Sequence, residues 1–276
     1  MYLDVAQADI LQAYQLTSRI AGIALIISSL EEISLHRHFA AGGVYDLSRI
    51  DAALRRHGED SRRRTIIERP ALHVAWPVLR LAPACALVLG PNTFAQMAMC
   101  WVLVALTTIA VQERHRLGGE DGSDQLLAIM SIAFAISLVL GFCEGALVAG
   151  MLFVGAQSVL SYVTAGFAKL HCPVWRHGAA VYGVLATRSH GMRSVARIVE
   201  RAPTLGYVLC WVTISFESSF VLAPILPLPL LVALLVVAAG FHATVAVVMG
   251  LNGFFWAFVS TYPAVIFLNE TVRSCL

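Results

Sequence analysis

Apolar residues in this chain run almost unbroken for about twenty positions at a time, which is the length that crosses the hydrocarbon core of a bilayer. They neither alternate like a half-buried strand nor mark one stripe like a surface helix. The runs cover residues 16–35, 72–89, 92–112, 125–142, 145–169, 205–222, 228–249 and 251–268. No water is available in hydrocarbon to satisfy backbone groups, so segments of this length are expected to be helices. The expected fold is all-α, a polytopic membrane helical bundle of about eight transmembrane helices. The second run is interrupted by Pro77, Arg80 and Pro83, and the first ends in Glu31 and Glu32.

The polar connections alternate in charge. Those after the first, third and fifth runs hold nearly all the loop arginines, from Arg37 to Arg69, at Arg114 and Arg116, and from Arg176 to Arg201. The connections at Gly90-Pro91-Asn92, Cys143-Glu144-Gly145 and Ala223 to Pro229 hold none. The positive-inside rule places the arginine-rich connections, and with them the C-terminal end of the fifth run, in the cytoplasm. Two basic connections carry patterns for surface helices. In the first, residues 46–57, Leu47, Ile50 and Leu54 share one face opposite a charged face, as in a helix lying among lipid headgroups. In the second, residues 190–201, the arginines are spaced along a short helix. Anchoring at the cytoplasmic face is the simpler role for both, and binding an anionic ligand is the alternative.

Composition supports one membrane-embedded domain over residues 1–276, with a basic surface loop at about 36–71. Hydrophobic residues make up 58% of the chain and charged residues 13%, against about 25% charged in soluble domains. The start does not fit a cleavable signal, because Asp4 and Asp9 precede the first basic residue, Arg19. The first run is expected to be an uncleaved span. The cysteines at 85, 100, 143, 172, 210 and 275 have no CxxC spacing. They are expected to pack as small hydrophobes. Nothing in the sequence points to nucleic-acid binding, a P-loop, a GxSxG elbow or a dinucleotide fingerprint. No metal site is expected either, since His36-Arg37-His38 and His171-Cys172 lack further ligands. The acidic turn at residues 118–124 is read as ending in a cap, Ser123 and Asp124, for the fourth run.

Charge inside a span is costly, so each intramembrane ionisable residue is a functional candidate. These are Arg19, Arg80, Lys169, Glu217 and His242, with Glu144 set aside to a surface turn. Lys169 is the chain's one lysine, beside eighteen arginines. Arginine stays charged, whereas a desolvated lysine can release its proton and act as a base or nucleophile. Snorkelling to the headgroups is the competing role at the end of a run, but every other anchor here is arginine, and Gly166 and Ala168 clear space around the lysine. Glu217, near the middle of the sixth run, needs a cationic partner or a proton. Arg19, Arg80 and Lys169 are the available partners. His242 is either a neutral core histidine bonded to a serine or threonine, or a group that meets a polar ligand in a cavity. Asn252, Trp256 and Tyr262 are placed to line the same cavity.

Ala165-Gly166-Phe167-Ala168-Lys169-Leu170, followed by Trp175-Arg176-His177-Gly178, resembles the AG-x-x-KL…W-x-x-G signature of the transmembrane region of vitamin K-dependent gamma-carboxylase. That region is shared with the bacterial HTTM proteins (horizontally transferred transmembrane domain). Ser18-Arg19-Ile20-Ala21-Gly22, Glu217, and Phe241-His242 followed by residues 249–255 are similar to further family segments in order and spacing. The likeness extends over most of the chain, and the lysine segment is its most specific part.

The resemblance implies a membrane enzyme in which Lys169 is the base that activates a reduced quinone, a vitamin K- or menaquinone-type hydroquinone, with O2 and CO2 as co-reactants. His242 is implied as a second catalytic group. Glu217, Trp175, Arg176, Gly178, Asn252, Tyr262 and Arg19 are implied around the substrate and cofactor. Arg176 would supply a neighbouring cation if it folds back toward the lysine. The animal enzymes also have a large lumenal domain that grips the substrate peptide, whereas this chain is expected to be the membrane core alone. Recognition of a peptide or small-molecule substrate would then fall to the core or to a separate soluble partner protein. The family's site faces the lumen, whereas the arginine pattern puts the Lys169 side in the cytoplasm of a bacterial inner membrane. Two other roles fit the same core. One is a non-catalytic maturation, immunity or export factor for a secreted peptide, and the other is a DoxX-like quinone-linked redox subunit.

Overall fold

The computed structural model describes residues 2–34, 70–115, 122–141, 143, 145–187 and 191–276. Among the described residues every regular element is helical. The order is α1 (Tyr2–Ser34), α2 (Pro70–Leu89), α3 (Phe94–His115), α4 (Gly122–Val139), α5 (Ala146–His171), α6 (Pro173–Arg176), α7 (Ala180–Leu185), α8 (Arg193–Arg201), α9 (Pro203–Ser219), α10 (Leu228–Met249) and α11 (Asn252–Ser274). A 3₁₀ turn at Phe220–Leu222 extends α9. The chain is a polytopic helical membrane bundle. Six described segments are long and apolar enough to cross a membrane, in α1, α3, α4, α5, α9 and α10. The apolar part of α2, Val74–Leu89, is shorter. Most of the basic loop at 36–71, the surface-helix pattern at 46–57, Glu144 and most of the acidic turn lie outside the described residues.

The helices start and stop for local reasons. Thr93 and Gln96 form a capping box at α3. The Thr93 hydroxyl accepts from the Gln96 amide at 3.2 Å, and the Gln96 side-chain oxygen accepts from the amides of Asn92 and Thr93 at 2.9 and 3.2 Å. Pro203 sits in the first turn of α9, where its missing N–H leaves no helical bond unmade. Gly250, at φ +71°, ends α10 in the left-handed conformation and turns the chain into α11. Several helices outrun their apolar stretches. α1 begins at Tyr2 rather than near residue 16, and α11 continues to Ser274 rather than ending near 268. A backbone hydrogen-bond ladder continues through polar residues that a hydropathy reading counts as an end. Ser123 and Asp124 lie inside the first turn of α4.

The chain divides into two compact units, Met1–Gly150 and Met151–Leu276. In the first, Gly22 lets α1 meet α2 closely, because a methyl there would lie 2.8 Å from the Ala84 carbonyl oxygen. Its core holds Trp101, Tyr14 and Phe134, all fully buried. Trp101 donates its indole N–H to Ser18 Oγ at 2.9 Å, and the Tyr14 hydroxyl donates to the Leu147 carbonyl at 3.0 Å. Arg80 is buried in the same unit. Its Nε donates to Ser29 Oγ at 2.8 Å and its Nη2 to Ser28 Oγ at 3.0 Å. Beside it is a cavity with room for about one water, lined in part by Glu32, Thr108, Gln112 and Asp124.

In the second unit, Ser158 and Thr261 share a hydrogen bond of 2.7 Å between α5 and α11. Asn269 Nδ2 donates to the carbonyls of Ala223 and Leu226 at 2.7 and 2.9 Å, which ties α11 to the turn after α9. The six cysteines are free; Cys100 and Cys210 are buried and Cys85, Cys143 and Cys275 exposed.

Candidate functional site

One face of α5 carries the polar chemistry of the second unit. Ser158, Tyr162, Gly166 and Lys169 recur at intervals of four, four and three, so they stack along a single stripe. Each meets a different neighbour. Ser158 takes Thr261, and Tyr162 takes His242 at 2.7 Å and Tyr262 at 3.3 Å. Gly166 lies against Ser218 and Glu217. Lys169 Nζ donates to both carboxylate oxygens of Glu217, at 2.9 and 2.6 Å.

The ion pair settles which cation Glu217 uses. The Glu217 side chain is 7% exposed and the Lys169 side chain 21%. Lys169 Nζ also stands 5.2 Å from the centroid of the Trp175 ring, a cation–π distance. The lysine is therefore held between a carboxylate and an indole rather than extended toward headgroups. Glu217 is fourteen residues past Pro203, a rise of about 21 Å along α9. The connecting helices α6 to α8 accordingly pack on the early part of α9, where a methyl on Gly178 would lie 2.7 Å from Tyr207 Cα. Gly178 has φ +84°, so a larger residue would be strained as well as crowded.

The second cluster is aromatic. Tyr162 stacks on Phe220 at 3.7 Å between centroids, and the ring of His242 stacks on Phe258 at 4.3 Å. Phe216 meets both Tyr162 and Phe241. His242 is 3% exposed. Its Nε2 bonds Tyr162 rather than a serine or threonine, while Nδ1 is buried with no hydrogen-bond partner among the described residues. The Ser218 hydroxyl is likewise buried and unpartnered. Whichever tautomer His242 adopts, one ring nitrogen is unsatisfied, an arrangement that costs about 1–3 kcal/mol.

Of the residues singled out from sequence, Lys169, Glu217 and Trp175 meet one another, and His242 and Tyr262 meet through Tyr162. Gly178 acts as a packing glycine. Arg176 is exposed at the end of α6, and Asn252 is exposed at the start of α11. Arg19 belongs to the first unit, where its guanidinium packs against Gly90. Sequence reasoning missed Tyr162, because an uncharged tyrosine in an apolar run carries no cost signal. Its position seven residues before Lys169, on the same face, was the available clue. No protein-family model, curated protein or solved structure matches the chain.

Proposed function

We propose that the chain is an integral-membrane enzyme in which Lys169 acts as a base toward a ring hydroxyl of a reduced quinone, in the manner of vitamin K-dependent gamma-carboxylase, to modify a peptide or small-molecule substrate. The observation that carries this reading is the placement of the only lysine. It is gripped by Glu217, faced by Trp175 and set on a membrane helix beside a cluster of aromatic rings. The residues suit a planar ring with polar substituents. Phe254 and Phe258 form an aromatic stack with His242, and His242 Nδ1 and Ser218 Oγ lack partners among the described residues.

In the ion pair Lys169 is an ammonium and cannot accept a proton. The 2.6 Å contact supplies the way out. Moving one proton from Nζ to Oε2 turns the pair into a neutral amine and a neutral acid, which removes two charges from a low-dielectric site. As a neutral amine, Nζ would be able to accept a hydroxyl proton from a bound ring and become ammonium again. Glu217 returns its own proton to solvent or to a neighbouring acceptor and resumes the pair. Trp175 favours the ammonium form and fixes where Nζ points. The Tyr162 hydroxyl holds His242 through Nε2, so Nδ1 is the ring nitrogen that would be left for a polar substituent of a bound ring. A reduced quinone, with O2, would supply the strong base that removes a substrate proton before CO2 adds.

The setting proposed is the bacterial inner membrane, with the arginine-rich connections and the Lys169 side in the cytoplasm and a separate soluble partner presenting a peptide. The test uses the full chain in nanodiscs with a vitamin K- or menaquinone-type hydroquinone, O2 and isotopically labelled CO2, following quinol consumption and label in added peptides. Lys169→Arg should lower quinol consumption by about 10²–10⁴-fold, the usual contribution of a positioned base. Full activity in that variant would remove Lys169 from the chemistry. The closed geometry of the ion pair favours one second reading, a non-catalytic membrane factor in which Lys169 and Glu217 strut α5 against α9. On that reading no quinol is consumed and Lys169→Arg is silent.

A further inference from the structure

The segment between α5 and α9 carries a second polar constellation that the proposed chemistry does not use. α7 and α8 frame an open groove of about 450 Å³, lined by Tyr182, Ala186, Arg193, Ala196, Arg197 and Glu200. Arg193 and Arg197 are one helical turn apart and so project from the same side of α8. Arg197 Nε donates to the Arg193 carbonyl at 3.4 Å, which occupies only one of its five donors. Glu200, the one acidic group lining the groove, accepts from the Tyr182 hydroxyl at 3.3 Å. Two guanidinium groups therefore face the groove against one carboxylate that already has a donor.

The surroundings place this groove at a membrane surface. Away from the arginines, α8 buries Val199 with Leu185, with Ala196 at the groove's edge in the same cluster, and Val181, Val195 and Val248 pack around them. Val248 lies in the last turn of α10, one of the membrane-spanning helices, so α8 rests where a span ends. On the flank between the buried side and the arginines, Ile198 is 59% exposed. A short helix with a packed side, an apolar flank and an arginine stripe suits the headgroup layer, where the flank meets acyl chains and the stripe meets phosphates.

We infer that this groove binds the phosphodiester headgroup of an anionic phospholipid, with Arg193 and Arg197 donating to the phosphate oxygens. Guanidinium forks match phosphate geometry in a way a point charge does not. Ile198 favours a phosphate that arrives with acyl chains attached over a free anion. The Tyr182–Glu200 contact forms the far wall and keeps the carboxylate turned away from the phosphate. This assignment does not depend on the role of Lys169.

The test is a lipid titration of the delipidated full chain in detergent, read by native mass spectrometry with phosphatidylglycerol and phosphatidylcholine as probes. Phosphatidylglycerol should bind at least about tenfold more tightly, and the Arg193→Gln/Arg197→Gln double variant should lose that preference, since each surface arginine contributes several-fold to anionic lipid attraction. Glu200→Gln should tighten binding several-fold, a gain that a misfolded protein would not give. Arg201→Gln removes one such charge from the same helix but outside the groove, and should change binding less than twofold. An Arg201→Gln loss equal to that of the double variant would mean diffuse charge attraction and overturn the groove. Displacement of phosphatidylglycerol by millimolar inorganic phosphate would make the ligand a free anion and overturn the headgroup.

Discussion

Gly166 lies so close to Ser218 that a methyl group on it would stand 2.6 Å from the Ser218 amide nitrogen and 3.0 Å from the Glu217 carbonyl carbon. Two of the three nearest atoms are α9 backbone, which cannot rotate aside as the Ser218 hydroxyl at 2.7 Å could. The absence of a side chain at 166 is what lets α5 approach α9 closely enough for Lys169, three residues later, to reach Glu217. Small residues serve this purpose generally where membrane helices touch. Gly166→Ala should push the helices apart and destabilise the protein by about 1–3 kcal/mol, as overpacking does. A thermal melt in detergent would read this, and an unchanged midpoint would mean the contact is not maintained in the folded protein.

The Lys169–Glu217 pair calls for a double-mutant cycle rather than single substitutions. Glu217→Gln leaves an ammonium with weaker acceptors, and Lys169→Met leaves a carboxylate that is almost fully covered. Removing one member of a buried pair costs up to about 3–5 kcal/mol, and the partial exposure of Lys169 places this pair toward the lower end. The double variant Lys169→Met/Glu217→Leu should recover most of the loss, because neither charge then needs compensation. Chemical denaturation of all four forms measures the coupling. Additive losses would show that the two side chains do not pair in the folded chain.

Tyr162→Phe isolates the hydroxyl that sequence reasoning overlooked. The ring would keep its stack on Phe220, while His242 would lose its one side-chain hydrogen bond among the described residues and Tyr262 its 3.3 Å contact. With both ring nitrogens of His242 then unsatisfied, a loss of about 1–3 kcal/mol is expected. Tyr262→Phe should cost less, since the 3.3 Å contact is longer and His242 keeps Tyr162. A melt in which the two variants lose equally would place the key bond elsewhere.

Much of this site was legible in the sequence, for a physical reason. Charge in hydrocarbon is expensive, so Lys169 and Glu217 announced themselves, but the sequence left Arg19, Arg80 and Lys169 all open as the partner of Glu217, and only the fold selects the lysine. Arg80 announced itself in the same way, but the hydroxyls that bind it did not. Ser28 and Ser29 are uncharged and lie 52 and 51 residues away in sequence, and only the packing of α1 on α2 brings their hydroxyls to the guanidinium. Helix ends were the least legible feature. α11 keeps its ladder through Asn269, Glu270 and Arg273, where a hydropathy reading ends the span. The connection between α5 and α9 read as a basic loop with one surface helix, yet it folds as three short helices. Its apolar positions, Leu185, Val195 and Val199, are too few to register as a run but enough to pack.

The Tyr182–Glu200 contact gives a pH signature on the surface. The Glu200 carboxylate beside it pushes the Tyr182 phenol above its ordinary value of 10.0. A raised folded value means the folded state binds the phenolic proton more tightly than the unfolded state. Any stability linked to it is present below pH 10 and lost as pH rises through the raised value. A spectrophotometric titration comparing the chain with its Tyr182→Phe variant isolates this phenol, and Glu200→Gln should bring its transition back down. A transition that stays put in Glu200→Gln would mean the carboxylate does not act on it.

A single lysine makes the site chemically addressable. An amine-selective reagent can label only Lys169 and the N-terminal amine. Nζ is shared between both oxygens of Glu217 and faced by Trp175, so it should label at least about tenfold more slowly than the N-terminus. Glu217→Gln should speed that labelling, because the carboxylate that holds the ammonium is gone. A membrane-impermeant form of the reagent adds the sidedness. If the arginine-rich connections face the cytoplasm, Lys169 should label in inverted membrane vesicles and stay protected in intact spheroplasts. Labelling from the outside instead would reverse the orientation drawn from charge and bring the site to the face that the carboxylase resemblance implies. Fast labelling in the unaltered chain, equal to that of the N-terminus, would mean that the Glu217 grip opens freely and that Lys169 is a surface anchor.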